Sequence, residues 1–231
     1  MQGRHVISCE GRAIPIDVRV SRRARRISIK VDSRTGDVEL VLPPRTAVSR
    51  GLAFAQAEVR WVLRQLDALP DRVPFEDGAV VPYRGDPHEI RHHDRLRGGV
   101  WLESGFINVA CGSAHLSRRV RDWFRNEART ETARLAHEKA AIVGKRVRRV
   151  AIRDQKTRWG SCSPSGDLSF NWRIVLAPPF ALDYLVAHEV AHLREANHSR
   201  AFWAIVAELT PHMTDGRAWL RTHGNRLHRY G

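Results

Sequence analysis

The sequence is short of cysteine, of lysine and of long apolar runs, and each shortage excludes something. Only three cysteines occur in 231 residues: Cys9, Cys111 and Cys162. They are far apart and form no Cys-x-x-Cys pair. Neither a disulfide framework nor a cysteine-based zinc ribbon is expected, and each reads as a small core residue. No apolar stretch approaches the roughly 20 residues that cross a bilayer. The start, Met1-Gln2-Gly3-Arg4-His5-Val6, lacks the apolar core of a signal peptide. The expectation is a cytoplasmic protein with no membrane partner. There is no internal repeat and no low-complexity segment. What remains, 42% hydrophobic and 28% charged residues, suits one large globular domain or two small ones.

Acidic residues are the minority, 25 against 39 lysines and arginines, for a net charge of +14. The excess sits in residues 1–75 and 113–157, whereas 76–112 is net acidic. Such a balance attracts polyanions, so nucleic acid is a candidate partner. Only Lys30, Lys139, Lys145 and Lys156 are lysine. So heavy an arginine bias also follows from codon composition, and charge alone defines no binding face.

The first 45 residues read as strands. Ile14, Ile16, Val18 and Val20 alternate, Ile27, Ile29 and Val31 repeat the pattern, and Val38, Leu40 and Leu42 follow a turn cluster at 32–37. The spacing of Leu52, Ala55, Val59, Val62, Leu63 and Leu66 predicts one helix from Thr46 to Leu69, with Thr46 as its cap and Pro70-Asp71 beyond its end. Short strands are expected at Ala79–Tyr83, His88–His92, Val100–Glu103 and Phe106–Ala110, punctuated by glycine turns. A long helix from Ser113 to Val143 stops at Gly144. Arg148–Asp154 reads as a strand, and Trp159–Cys162 with Leu168–Trp172 as a hairpin. Pro178-Pro179 opens a helix over Phe180–Glu195. Ser199 caps a further helix, Arg200–Leu209, and a last one spans Asp215–Arg226.

The chemistry concentrates in His188-Glu189-Val190-Ala191-His192. Residues four apart lie one turn apart on one helix face, so both imidazoles can bind a single metal ion. Glu189 beside them can reach a coordinated water. A catalytic zinc ordinarily takes three protein ligands. His198, just past the Ala196-Asn197 turn, is the leading third ligand, with Asn197 supplying the left-handed turn. Glu208 on the next helix is the second choice. The histidine spacing equals that of metzincins, whose motif has glycine where this chain has Glu195. The remaining histidines, His92-His93 included, lack ligand spacing. Asp183, Asn171 and Asp215 are candidate acceptors for orienting the imidazoles. Arg158, Tyr184 and His212 are candidate oxyanion donors. An extended substrate could add to the hairpin strand beside the metal helix, where Gly160 allows close backbone approach.

Several ordered motifs carry a resemblance. Lys156-Thr157-Arg158-Trp159-Gly160-Ser161-Cys162-Ser163, Phe170-Asn171-Trp172-Arg173, Asp183-Tyr184, the HExxH, Asn197-His198-Ser199 and Phe202-Trp203 resemble the YgjP-type metallopeptidases, which are similar to SprT-like zincins. The likeness covers nearly the whole chain. It implies an α+β zincin-like fold: an amino-terminal strand-rich unit, a long helix, a small sheet and an HExxH helix. It also implies one Zn2+ per chain on His188, His192 and His198, with Glu189 as catalytic base. SprT-like proteins that act near DNA often add a zinc ribbon, which this chain lacks. The expected division is residues 1–75 for the strand-rich unit, integral to the fold, and 76–231 for the metallopeptidase domain.

Two functions from different classes follow. One is zinc-dependent hydrolysis of peptide bonds in a protein or peptide substrate: the metal acidifies water, Glu189 takes its proton and passes it to the leaving amine. The other is a nucleic-acid-associated protein whose basic surface binds polyanions and whose zinc site is structural. The intact Glu189 favours the first, because a structural site has no use for a base there.

Overall fold

Alternating apolar residues build the first sheet. In a computed structural model, which describes residues 3–32, 35–69, 71–94, 98–155 and 157–231, strands β1 (Gly3–Cys9), β2 (Arg12–Val20), β3 (Ser28–Val31) and β4 (Val38–Leu42) lie in the order β1-β2-β4-β3. The turn residues Ser33 and Arg34, together with Met1, Gln2, Pro70 and Lys156, lie outside the described residues. β1, left unplaced by the sequence pattern, pairs antiparallel with β2 through a turn at Glu10-Gly11, both at positive φ. β2 and β4 are parallel, and β3 and β4 antiparallel. Ile14, Ile16 and Val18 all face the core, as the period of two requires.

The single helix expected over Thr46–Leu69 is two. α1 (Val48–Ala57) and α2 (Val59–Asp67) meet at Glu58, whose backbone leaves the helical region. The apolar periodicity runs through both, which is why it reads as continuous. Thr46 is not the cap: Ala47 occupies that position, with no side-chain hydrogen bond. Both helices close the hydrophobic cluster over the sheet. Gly51 lets α1 approach, since a Cβ there would stand 2.5 Å from a Leu42 methyl.

The chain divides into two compact units, Met1–Asp71 and Arg72–Gly231. The segment after Asp71 contributes to the second. Val73 bridges to Tyr230, and Phe75 packs against Phe124 and Trp172. This unit opens with β5 (Val80–Tyr83), β6 (Asp86–His92), β7 (Val100–Glu103) and β8 (Phe106–Val109), in the order β5-β6-β8-β7. Although the sequence shows no repeat, this sheet and the first share one topology: an antiparallel hairpin, a parallel pair, then an antiparallel pair.

A short 3-10 turn at Ser113–His115 leads into α3 (Leu116–Ile142). Its Val120, Phe124, Ala128, Ala136 and Ala140 form a buried stripe, and Gly144 at φ 64° ends the run. β9 (Arg149–Arg153), β10 (Gly160–Cys162) and β11 (Asp167–Asn171) make a small sheet in the order β10-β11-β9, so β10 is an edge. α4 (Pro179–Ala191), α5 (Arg200–Leu209) and α6 (Met213–Leu227) complete the unit. α4 is the hub, packing against α3, α5 and α6. Among the described residues no helix is long and apolar enough to cross a membrane.

Candidate active site

The site is built on the C-terminal end of α4. The helix ends sooner than Glu195: Ala191 is its last residue and His192 its C-cap. The chain then tightens. Leu193 N donates to Val190 O at 2.9 Å and Arg194 N to Ala191 O at 3.0 Å, bonds of the three-residue type that close a helix end. The turn is not made by a left-handed Asn197, which has no positive φ. It is made by these bonds, with Asn197 N donating to the Glu195 carboxylate at 3.3 Å and Ser199 N to Asn197 O at 2.7 Å. Ser199 then caps α5, its hydroxyl accepting from Phe202 N at 3.2 Å.

This path returns His198 to α4. Ring nitrogens of His188, His192 and His198 all lie within 4.8 Å of one another. Nε2 of His198 stands 3.1 Å from Nε2 of His188. The buried Phe202 ring forms the floor, with centroids 4.9, 4.5 and 4.7 Å from the three imidazoles. His192 Nδ1 donates to the Glu195 carbonyl at 3.1 Å, which leaves its Nε2 lone pair free. Burial, aided by the neighbouring imidazoles, pushes His188 down to about 4 and also lowers His192. Both rings are therefore neutral near pH 7, the form that binds metal.

The donor set fits zinc. Three imidazole nitrogens without a thiolate or carboxylate suit a borderline cation. Zn–N bonds of about 2.05 Å in a tetrahedron place nitrogens ~3.3 Å apart, and the His188–His198 pair already approaches that spacing. Glu208, the second-choice ligand, is exposed on α5 and is not part of the cluster.

Glu189 lies beside the cluster and is 5% exposed. Burial pushes its carboxyl up to about 7, against the opposing pull of Arg158. Its neighbour is the β10 backbone. A Cβ on Gly160 would meet Glu189 Oε1 at 2.5 Å, Cγ at 2.7 Å and Cδ at 2.8 Å. Gly160, Ser161 and Cys162 thus form one wall of a concavity whose other wall is His188, Glu189 and His192.

None of the side chains expected to orient the imidazoles is seen bonding to one. Asp183 Oδ1 pairs with Lys139 Nζ at 2.7 Å, and its Oδ2 accepts from Thr210 Oγ1 at 2.5 Å. Lys139 also donates to Leu209 O at 2.7 Å. This buried knot ties α3, α4 and the end of α5 together behind the site. Asn171 accepts from Arg173 N and donates to Gln155 O, so it fastens the loop before α4. Asp215 is exposed in the first turn of α6. The acceptor that orients His192 is instead the Glu195 carbonyl, which no side-chain pattern announces.

Of the candidate oxyanion donors, Tyr184 sits one turn before His188 with ring centroids 6.0 Å apart. Burial raises its phenol, and Arg217 and Glu189 both act on it. Arg158 is exposed and lines a neighbouring concavity with Ser161, Cys162 and Ser163, and His212 packs against Phe180. Trp159 stacks on His228, and Trp172 is fully buried core. Arg217, brought near His188 by the packing of α6 on α4, has no signal in the sequence.

A helix-borne pair of imidazoles, a third from the following turn, and a buried glutamate between them and an edge strand define an HExxH-type metallopeptidase site. A family profile described as YgjP-like, metallopeptidase domain, matches residues 25–223, and the chain belongs to that family. No curated protein matches the chain. Among solved structures, the metallopeptidase zymogen of Pyrococcus abyssi abylysin is similar at 23% identity and a TM-score of 0.38, over 41% of this chain and 96% of that one.

Proposed function

We propose that the chain is a zinc-dependent peptidase with one ion on His188, His192 and His198 and with Glu189 as general base. The observation that carries this reading is the convergence of three ring nitrogens within 4.8 Å beside a buried carboxyl that faces an edge strand. A zinc ion there supplies Lewis acidity, polarising the scissile carbonyl and making water a better nucleophile at neutral pH. The chain's own residues do the rest. The unpaired edge of β10 accepts an extended peptide by main-chain hydrogen bonds. Glu189 takes a proton from the attacking water and returns it to the leaving amine, so the proton balance closes. Burial raises the proton affinity of this carboxyl, the direction that such a shuttle needs.

Hydrolysis of casein by the zinc-loaded protein, with zinc counted by elemental analysis, tests this. Glu189→Gln is expected to abolish turnover while one zinc per chain remains, and His192→Ala to lose the metal. Full activity in Glu189→Gln would overturn the assignment.

A second reading has its own observation. Arg149, Arg153 and Arg158 line a concave face with Ser161, Ser163 and Ser169; the one carboxylate among its lining residues, Asp167, is paired with Arg148, which leaves a donor-rich surface suited to phosphate groups. DNA binding through it would weaken steeply with added salt. A flat salt response rejects that reading.

A further inference from the structure

Next to the three imidazoles lies a second concavity that the hydrolytic reading leaves unused. Trp203 of α5 and Met213, Thr214, Arg217, Ala218 and Arg221 of α6 line it. Trp203 joins it to the site, with ring centroids 5.8 Å from His188 and 5.9 Å from His198. Gly216 explains how α6 comes so near. Any Cβ there would collide with Tyr184 of α4, so the helices touch through backbone and the next residue, Arg217, is carried to the rim of the site.

Arg217 is held in place. Its guanidinium carbon sits 4.8 Å over the Trp203 ring, a cation–π contact that orients the planar group. Its charge is felt at both His188 and Tyr184. Arg221 follows four residues later, on the same helix face. Among the described residues no acidic side chain forms an ion pair with either. Both guanidiniums are exposed at the lining of this concavity, where an incoming anion can reach them. An anion seated there would gain from both charges. Trp203 and Met213 supply an apolar wall for the methylenes that would carry such a group.

From this we infer that the concavity formed by Trp203, Arg217 and Arg221 is a specificity subsite for a substrate carboxylate. The carboxylate is either an Asp or Glu side chain near the scissile bond or the free C-terminus of the peptide. The inference rests on the peptidase reading above and adds the substrate class to it.

Quenched peptides in matched pairs, Glu against Gln at each position flanking the cleavage point and free against amidated C-terminus, separate the two sources. For the zinc-loaded wild type, kcat/KM is expected to favour the carboxylate member of one pair by about two- to fivefold, as for an exposed charge pair. In Arg217→Gln/Arg221→Gln that ratio falls to about one. In Arg217→Glu/Arg221→Glu the preference turns to lysine peptides. Equal rates within every pair, or an unchanged ratio in the double Gln variant, overturn the subsite and leave the peptidase reading intact. Calorimetry on zinc-loaded Glu189→Gln supplies an arm independent of turnover. Tighter binding of the acidic peptide that weakens with salt supports the subsite even if the wild type cleaves nothing, in which case only the peptidase reading falls. Indifferent binding overturns the subsite.

Discussion

Gly160→Ala asks whether the carboxyl of Glu189 is where the reaction needs it because β10 leaves room for it. The added methyl would lie 2.5 Å from Oε1 and 2.7 Å from Cγ, where ordinary contact begins at 3.4 Å. Something must move by about 1 Å. Gly160 is paired with Phe170 across the β10–β11 ladder and cannot retreat freely. The α4 backbone behind Glu189 is bracketed by the buried Val186, Ala187, Val190 and Ala191. The Glu189 side chain itself therefore yields. Overpacking of this kind costs about 1–3 kcal/mol, and each kcal/mol lowers Tm by roughly 2–4 °C at this chain length. Gly160 has no positive φ, so backbone strain adds nothing. A misplacement of about 1 Å at a proton-transfer group costs on the order of a hundredfold in rate. The expected outcome is a protein that folds, binds one zinc, and hydrolyses peptide about a hundredfold more slowly, with the loss in kcat. Stopped or continuous peptide assays read the rate, elemental analysis the metal, and differential scanning the Tm. Wild-type kcat in a folded, zinc-loaded Gly160→Ala would refute the reasoning, because Glu189 could not then be both at this position and the base.

Three further outcomes are expected. His198→Ala should weaken zinc binding by more than about a hundredfold in competition titrations, while Glu208→Ala leaves it unchanged; the reverse pattern would make Glu208 the ligand. Lys139→Met removes the cation from the Asp183–Thr210 knot and leaves a largely buried carboxylate, so urea unfolding should show a loss of about 3–5 kcal/mol; a loss below 1 kcal/mol would show the knot to be idle. Burial first, and then the Glu189 and Asp167 charges, push the Cys162 thiol up to about 11. The thiolate is favoured only as pH rises through that value, so at pH 8 alkylation of the chelator-treated protein should run roughly 200-fold below an ordinary thiol and climb tenfold per pH unit. Peptide mapping after iodoacetamide treatment reads this, and fast labelling of Cys162 at pH 8 would contradict it.

The proposed metal ligands are legible because their geometry is local. A four-residue interval on a helix fixes two imidazoles, and a third ten positions on needs only a turn between. How that turn is made was not legible. Asn197 looked suited to a left-handed residue, yet shortened helix-end bonds from Leu193 and Arg194 turn the chain instead. Strands β2 to β4 follow directly from alternation, and the β10–β11 hairpin from the turn residues Pro164-Ser165-Gly166-Asp167. The break at Glu58 does not, because the apolar stripe continues across it in register. The supporting carboxylates failed for a different reason. Asp183 is five residues from His188 in sequence, but its partner Lys139 comes from another helix, and no spacing rule pairs them. Arg217 is the same case, placed only by the contact of Gly216 with Tyr184.

α4 shows why fold and chemistry share one cause. Nine of its thirteen residues are buried, and its apolar character runs around the whole circumference rather than along one stripe. A helix so enclosed can carry polar groups only where each has a partner or a task. Asp183 has Lys139 and Thr210. His188 turns its Nε2 to His198, and Glu189 fills the space that Gly160 vacates. The same exclusion of water that stabilises the helix holds His188 and His192 neutral and raises the carboxyl. Loosening the packing around α4, even far from the imidazoles, should therefore shift reactivity before it unfolds the chain: groups that lose their burial return to ordinary proton affinities while the backbone is still in place.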